Sequence, residues 1–411
     1  MLSHHKVNQQ TYSEAHMLAE ILIGSALGII AGLTPGIHSN TFAIFTVIYA
    51  SKLENAWVVI ISSTIAYTIA DIIPTTLLGV PDEETALATF PAHEMVLEGR
   101  ALEAISISAF SSFLSLLFSL PLFLSTTVIA ANYDVVRKLT PLVLVFVSTF
   151  LIMSERADVL EGSLASWRKR IYALLVFCVS GFLGFVSLDN SHLAQVNPAG
   201  SIFLPLLTGL FGVPVLIQTT GGRIPEQRAE LRFPNVNSAA KGSLAGFAVS
   251  IFPGISSGIA TAIASFGEKG REGYIAAMSG ANTSNALLCL YMLTASGRAR
   301  SGAAKALKEL GHIPTYLEIT SVSVISAVIA LATTIVVSFI LISRIGKLRP
   351  SIFSFAVFIL LILIVYYFTG VFGLAVFFTA ASIGFAAPLL EVRRVNCMGC
   401  LVIPILLHAL F

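Results

Sequence analysis

Long stretches without a single charged residue constrain this chain more than any other feature of its sequence. They cover residues 104–131, 171–188, 201–222, 319–343 and 350–390. Each approaches or exceeds the roughly 20 residues that cross a bilayer as an α-helix, and the last is long enough for two crossings. Only 11% of all residues are charged, against about 25% in soluble domains. The chain is therefore predicted to be a multi-pass membrane protein.

The apolar stretches also indicate which class of membrane protein this is. No tract of alternating apolar and polar residues about ten long recurs, as a membrane barrel requires. We therefore predict an all-α polytopic bundle with about 10–12 membrane segments. A net charge of +2 provides no basic field for binding nucleic acid. The first twenty residues are polar and show no apolar core followed by a cleavage site, so no removable signal peptide is expected.

The chain contains four cysteines, and two of them, Cys397 and Cys400, form a CxxC motif. The motif has neither a second cysteine pair nor a histidine pattern nearby, which disfavours a zinc or redox site. Cys178 and Cys289 lie in apolar segments, where cysteine acts as a small hydrophobic residue. We expect no metal and no cofactor other than a coupling proton or sodium ion.

An internal repeat relates the two halves of the sequence. Residues 24–39, GSALGIIAGLTPGIHS, align without a gap to residues 242–257, GSLAGFAVSIFPGISS. The identical pairs are Gly24/Gly242, Ser25/Ser243, Gly28/Gly246, Pro35/Pro253, Gly36/Gly254, Ile37/Ile255 and Ser39/Ser257. A second match near the end of each half pairs Asn197, Gly200 and Pro205 with Asn396, Gly399 and Pro404. A match at constant offset indicates a duplicated structural unit.

The repeat predicts how the chain is divided. A polar N-terminal segment, 1–17, precedes a first membrane repeat, 18–222. A connecting loop, 223–241, then leads into a second membrane repeat, 242–411.

Lysines and arginines predict how the halves are oriented, because short cytoplasmic loops carry the excess of positive charge. In the first half, loop 154–170 is basic and loop 189–199 has no Lys or Arg. In the second half the order is reversed, because the loop near 369–371 is uncharged and the next one is basic. We therefore infer two inverted-topology repeats. The segments predicted to face the cytoplasm are 154–170, 220–241, 344–349 and 391–396, with 189–199 outside.

Arg137 and Lys138 depart from this scheme, which places their loop on the outside. A multi-pass chain of this kind is expected in the cell (plasma) membrane, with the lipid bilayer as a partner. The sequence leaves open whether it forms a homodimer.

Each repeat has a Pro-Gly motif near the middle of its first apolar stretch, followed by a short polar string. Proline lacks an amide hydrogen and glycine permits unusual backbone, so each helix should break or re-enter there. Irregular backbone at membrane depth must line a watery cavity or be buried in protein, and a new helix start aims free amides at that cavity. The predicted anion-binding residues are Pro35, Gly36, His38, Ser39, Asn40, Thr41, Pro253, Gly254, Ser256, Ser257 and Gly258.

Two alternatives apply to these motifs. Pro-Gly can simply kink a packed helix, although its duplication favours a site. His38 can serve either as a ligand or as a structural hydrogen-bond partner.

A further polar element follows each break. Asp71 is the only charged residue between Glu54 and Asp82 and leads into Pro74-Thr75-Thr76. An acid within the membrane is costly and is therefore a functional candidate, so we predict that Asp71 and Thr75 couple transport to a cation. The alternative is that Asp71 is a helix-end residue at the membrane surface. In the second half, the sequence GANTSNALL adds Asn282 and Asn285 as candidates for binding substrate.

These motifs resemble the TctA family, the large membrane subunits of tripartite tricarboxylate transporters. GLTPGIHSNT and SIFPGISSG resemble the family's two Pro-Gly motifs, and GANTSNALL resembles its Ala-Asn-Asn-Ala element. GVPDEETALATFPAHEMVLEGRALEA and NPAGSIFLPLLTGLFGVPVLI resemble two further family segments, so the resemblance covers almost the whole chain. The sequence departs from the pattern in length, at Ser256-Ser257 and in one displaced Asn.

This resemblance implies a secondary active transporter that imports a small organic anion, such as a di- or tricarboxylate, by symport with an ion. It also implies a small membrane subunit and an extracytoplasmic binding protein as partners. A second hypothesis is a polyprenyl-phosphate or other lipid-phosphate translocase, because a phosphate headgroup would suit the same cradle. An intramembrane enzyme is disfavoured, because the sequence has no HExxH or GxSxG motif and no paired carboxylates in its apolar segments.

Overall fold

The computed structural model describes most of the chain. The described residues are 2–34, 55–79, 85, 88–155, 162–196, 201–218, 225–251, 264, 267–268, 270–345 and 350–410. This part of the chain is mostly helical and contains no β-strand. Seven of its helices are long and apolar enough to cross a membrane. The protein is therefore an all-α polytopic membrane protein, as its charge-free stretches predict.

The first half is a series of long and broken helices. They are α1 (Leu2–Leu33), α2 (Ala56–Ala70), α3 (Ile72–Leu78), α4 (Thr89–Leu97), α5 (Ala101–Ser119), α6 (Phe123–Ala131), α7 (Tyr133–Met153), α8 (Gly162–Asp189), α9 (Phe203–Leu207) and α10 (Val213–Gln218). Short 3-10 turns join α5 to α6 and follow α8, and a π-helical turn joins α9 to α10.

The second half has fewer, longer helices. They are α11 (Val236–Ile251), α12 (Gly270–Ser296), α13 (Gly302–Glu309), α14 (Tyr316–Ile345), α15 (Pro350–Leu389) and α16 (Gly399–Leu410), with a 3-10 turn before α16. Gly370, at φ 65° and ψ −157°, interrupts α15 with a conformation that glycine alone adopts readily. The stretch 350–390 therefore forms two helical arms, as its length predicts.

Both Pro-Gly motifs are preceded by a helix that ends at the equivalent position. α1 ends at Leu33 and α11 ends at Ile251, each two residues before the proline of its motif. Proline cannot donate to the preceding turn and disfavours helical backbone in the residue before it. The described part of each helix thus stops just before its motif, and the motifs themselves lie outside the described residues.

Glycines bring the first two helices of each half into close contact. In the first half, a Cβ on Gly28 of α1 would collide with the carbonyl oxygen of Ser63 on α2. In the second, a Cβ on Gly246 of α11 would lie 2.7 Å from the carbonyl oxygen of Ala281 on α12. Small residues allow this approach between membrane helices. The two contacts have the same separation along the chain, so the duplicated glycines make equivalent contacts.

α2 and α12 run in opposite directions. Near the start of α12, Arg271 pairs with Glu98 at 2.6 Å and Glu272 pairs with Arg100 at 2.5 Å. Glu98 and Arg100 lie just beyond α4, which packs on α3. Beyond the other end of α12, His312 stacks on Trp57 at the start of α2, with ring centroids 5.1 Å apart. The corresponding helices of the two halves are therefore antiparallel.

α5 of the first half packs against α11 and α12 of the second through serines. Ser108 Oγ donates to Ser279 Oγ at 2.7 Å, and Ser115 Oγ donates to the carbonyl oxygen of Ala239 at 2.7 Å. The serines of α5 that bond to α11 or α12 are Ser108, Ser111, Ser112, Ser115 and Ser119. These bonds join the halves inside the bundle.

The reciprocal contact joins α14 of the second half to α1 and α2 of the first. Ser326 Oγ donates to the carbonyl oxygen of Ser62 at 2.7 Å and lies 2.9 Å from Ser25 Oγ. Each half therefore places a later helix against the other half's first pair. This reciprocal packing of α5 and α14 joins the two halves into one bundle.

Ion pairs define one end of the bundle, which we call the basic end and which carries segments 154–170 and 391–396. Lys169 pairs with Glu391 at 3.1 Å, and Arg393 Nε donates to Glu155 Oε1 at 2.8 Å. At the opposite end, a Cβ on Gly370 would lie 2.8 Å from Val196 Cγ2. Segments predicted to share a side thus lie together, and 189–196 lies at the other end.

We expect Gly246→Val to destabilise the fold, because the larger side chain must displace the backbone of α12. Overpacking of this kind costs about 1–3 kcal/mol, so the melting temperature in detergent should fall by several degrees. Leu244→Val on the same helix is the control, because Leu244 is 61% exposed. An unchanged melting temperature for Gly246→Val would contradict the close contact.

Candidate site at the junction of the two halves

The candidate site begins at a break in the second helix of the first half. Pro74 has no amide hydrogen to bond to the carbonyl of Ala70, so the helical hydrogen bonding is broken at Asp71, between α2 and α3, although Asp71 keeps helical dihedrals of φ −60° and ψ −20°. α3 then ends at Gly79, which has a left-handed φ of 66°. The break places an acidic side chain inside the bundle. Asp71 is only 3% exposed, so its side chain lies inside the protein.

Asp71 is bonded to the other half of the protein. Asn282 Nδ2 on α12 donates to Asp71 Oδ2 at 2.9 Å, and both residues are buried. A hydrogen bond to a carboxylate stabilises its charge, and here the donor is itself neutral. The structure therefore joins a predicted coupling residue and a predicted substrate-binding residue in one interaction.

Hydroxyl groups surround the break. Thr75 Oγ1 lies 3.0 Å from the carbonyl oxygen of Asp71 and 2.8 Å from Thr85 Oγ1. The neighbouring Thr76 is fully buried, and its Oγ1 has no hydrogen-bond partner among the described residues. Thr75 is thus close to Asp71, as the predicted coupling role requires.

His93 lies beside these threonines and was missed by the sequence analysis. Its Nδ1 lies 2.9 Å from the carbonyl oxygen of Thr76, so that nitrogen carries a proton. Its Nε2 is buried and has no partner in the described part of the chain. Burial lowers the pKa of His93, opposed by the bond to Thr76. A neutral imidazole would leave Nε2 as an unused proton acceptor near the break.

Asn285 has a different environment from Asn282. It is half-buried, and its Oδ1 accepts a weak bond from Cys289 Sγ at 3.6 Å. No bond from Asn285 to Asp71 is present. The other predicted substrate-binding residues, from Pro35 to Thr41 and from Pro253 to Gly258, lie outside the described residues.

The CxxC cysteines, Cys397 and Cys400, are both buried and unbridged. Among the described residues, no group of three or more His, Cys, Asp and Glu side chains is placed to hold a metal ion.

Comparison with known proteins identifies the family. The profile of the "Tripartite tricarboxylate transporter TctA family" matches residues 18–399. The chain belongs to the TctA family. It is therefore a component of a membrane transporter and not an enzyme, and a tripartite transporter of this family works with partner subunits.

A relative with similarity over nearly its full length is the uncharacterized protein MJ1079 of Methanocaldococcus jannaschii. It is 28% identical over 413 residues, which cover 96% of this chain and 99% of the relative. No solved structure matches the chain.

The Asp71–Asn282 bond can be tested by a double-mutant cycle. We expect Asp71→Ala and Asn282→Ala each to lower stability, and the double variant to lose less than the sum, with a coupling of about 1–2 kcal/mol. Thermal unfolding of the purified protein measures each effect. Asn285→Ala is the matched control and should be additive with Asp71→Ala, and additivity in both pairs would disprove the bond.

Proposed function

We propose that the protein is a secondary active transporter of a small organic anion of the di- or tricarboxylate type, driven by an ion gradient. The observation that carries this proposal is the buried Asp71–Asn282 bond. It links a helix break in the first half to the middle of α12 in the second. Any motion of one half against the other must alter this bond, which is what a coupling site in an alternating-access mechanism needs.

Asp71 has the chemistry required for coupling. A carboxylate supplies a negative charge or an exchangeable proton, and Thr75 adds a hydroxyl oxygen close to the same helix break. The amide of Asn282 is neutral and adds no charge of its own to the site. His93 Nε2 and Thr76 Oγ1 are further polar atoms nearby for which the described part of the chain supplies no partner.

The Pro-Gly motifs are proposed to bind the substrate anion. α11 has 16 residues, which span about 24 Å at 1.5 Å per residue, less than the roughly 30 Å of a hydrocarbon core. A helix of this length that starts at the membrane surface ends within the bilayer. Pro253 and Gly254 would then lie at membrane depth, where a polar backbone needs a ligand, water or protein partner.

The two halves are proposed to be inverted repeats, 18–222 and 242–411, after a polar segment and with a connecting loop at 223–241. Three observations support this: equivalent helix ends at Leu33 and Ile251, equivalent glycine contacts, and antiparallel α2 and α12. The family's import role favours a cell-membrane location and an extracytoplasmic binding protein. A small membrane subunit is the other proposed partner, and a homodimer remains an untested prediction.

Gradient-driven uptake tests the coupling role. We expect Asp71→Asn to abolish uptake of labelled citrate into proteoliposomes, because the amide has neither the charge nor the exchangeable proton. Citrate binding to the same variant should persist. Asp189→Asn, an exposed acid at the end of α8, is the control and should behave as wild type. Wild-type uptake by Asp71→Asn, with unchanged pH and sodium dependence, would refute the coupling role.

Cysteine labelling tests the proposed orientation. Arg168 is exposed near the start of α8 and Leu193 is 50% exposed beyond its end. In a Cys178→Ser background, Arg168→Cys should react with an impermeant reagent from the cytoplasmic side and Leu193→Cys from the other side. Reaction of both from one side would rule out the inverted arrangement.

A further inference from the structure

Two arginines follow α12 at the end of the bundle opposite the basic end. The guanidinium of Arg298 lies over the ring of Tyr133, 3.9 Å from its centroid. Tyr133 begins α7, and the other end of α7 leads to Glu155 at the basic end. Arg298 is therefore on the side that the orientation scheme assigns to the exterior, where an excess of positive charge is not expected.

Arg298 borders a cavity of about 410 Å³, a size typical of small-molecule sites. The lining residues are Thr127, Ala130, Ala131, Tyr133, Asp134, Ala295, Ser296 and Arg298. The cavity is thus formed where α6 and α7 meet the end of α12. Asp134 gives it one negative charge, so the cavity is not uniformly cationic.

Arg300 reaches from this end toward the second Pro-Gly motif. It donates from Nη1 to the carbonyl oxygen of Ser250, one residue before α11 ends and three before Pro253. Its surroundings also include the thiol of Cys289 and the phenol of Tyr133, and burial lowers its pKa. A cation at a helix C-terminus is favourable, so part of its role is structural.

Arg300 nevertheless retains capacity for a ligand. A guanidinium has five N–H donors, and one of them is used by Ser250. Among the described residues, no carboxylate lies within ion-pair distance of Arg300, although its side chain is half-buried. A half-buried cation without a countercharge favours the arrival of an anion, and a carboxylate can accept two parallel bonds from it.

We infer that Arg298 and Arg300 form the extracytoplasmic anion entrance of the transporter, with Arg298 collecting the substrate at the cavity and Arg300 binding one of its carboxylates near the end of α11. This inference rests on the proposed function. It also accounts for basic residues that depart from the positive-inside pattern. The same end carries further basic residues that would attract anions. They are Arg137 and Lys138 on α7, and Lys305 and Lys308 on α13.

Direct binding of labelled citrate to purified protein tests the inference without a gradient. Arg300→Gln should weaken binding about tenfold to a hundredfold, as expected for loss of bonds to a charged group, and Arg300→Lys should weaken it less. Arg298→Gln should weaken binding about two- to fivefold, an effect that shrinks with added salt. Asp134→Asn should strengthen binding, because it removes a repulsive charge.

Arg168→Gln at the basic end is the matched control and should bind citrate as wild type does. If Arg300 only caps α11, its variants will melt at lower temperature but bind citrate normally when folded, which would overturn the inference and leave the proposed function standing. If wild type binds polyprenyl phosphate or inorganic phosphate but no carboxylate, and Arg300→Gln loses that binding, the anion entrance stands and the carboxylate function fails. Binding of none of these anions by wild type would overturn both.

Discussion

A bilayer offers no hydrogen bonds, so every polar group that this chain carries into it must find a partner within the protein. The packing of the bundle follows from that constraint. Serines of α5 bond to α11 and α12, and Ser326 of α14 bonds to α1 and α2. Gly280 of α12 leaves room for one of these serines, because a Cβ there would collide with Ser115 Oγ of α5. The same demand is met at Asp71 by a contact between the halves, the hydrogen bond from Asn282.

The exchange of helices between halves bears directly on transport. α5 of the first half packs on α11 and α12, and α14 of the second half packs on α1 and α2. Movement of one half against the other would therefore slide these helices along their serine contacts. Hydrogen bonds between membrane helices are individually modest, at about 0.6–2 kcal/mol, so such an interface can exchange partners at low cost. A transporter that alternates between two arrangements needs an interface of this kind, whereas an apolar interlocked core resists sliding.

Hydropathy predicted much of the fold, and the proline of the first Pro-Gly motif predicted a helix end, because both signals are local. The two arms of α15 and the end of α1 belong to this group. α12 is surrounded by protein and does not need an apolar surface toward lipid. Its hydropathy is therefore a weak signal, and only its polar cluster is recognisable in the sequence. The sequence repeat does not identify Asn282 as the partner of Asp71. At the offset that aligns the Pro-Gly motifs, Asp71 corresponds to Cys289 and not to an asparagine. His93 and Arg300 were missed because their significance lies in burial, which no spacing reveals.

The positions of Asp71 and Arg300 suggest why cation and anion would move together. Asn282, which holds Asp71, and Cys289, which neighbours Arg300, are two turns apart on α12, about 10 Å at 1.5 Å per residue. Asp71 and Arg300 are therefore associated with positions two turns apart on the same helix. In the proposed mechanism, a proton or sodium ion on Asp71 would cancel a negative charge that otherwise repels a substrate carboxylate held by Arg300. By linkage, an anion bound at the proposed site would favour binding of the cation by the same free energy, so the proposed sites would couple the two solutes without direct contact between them.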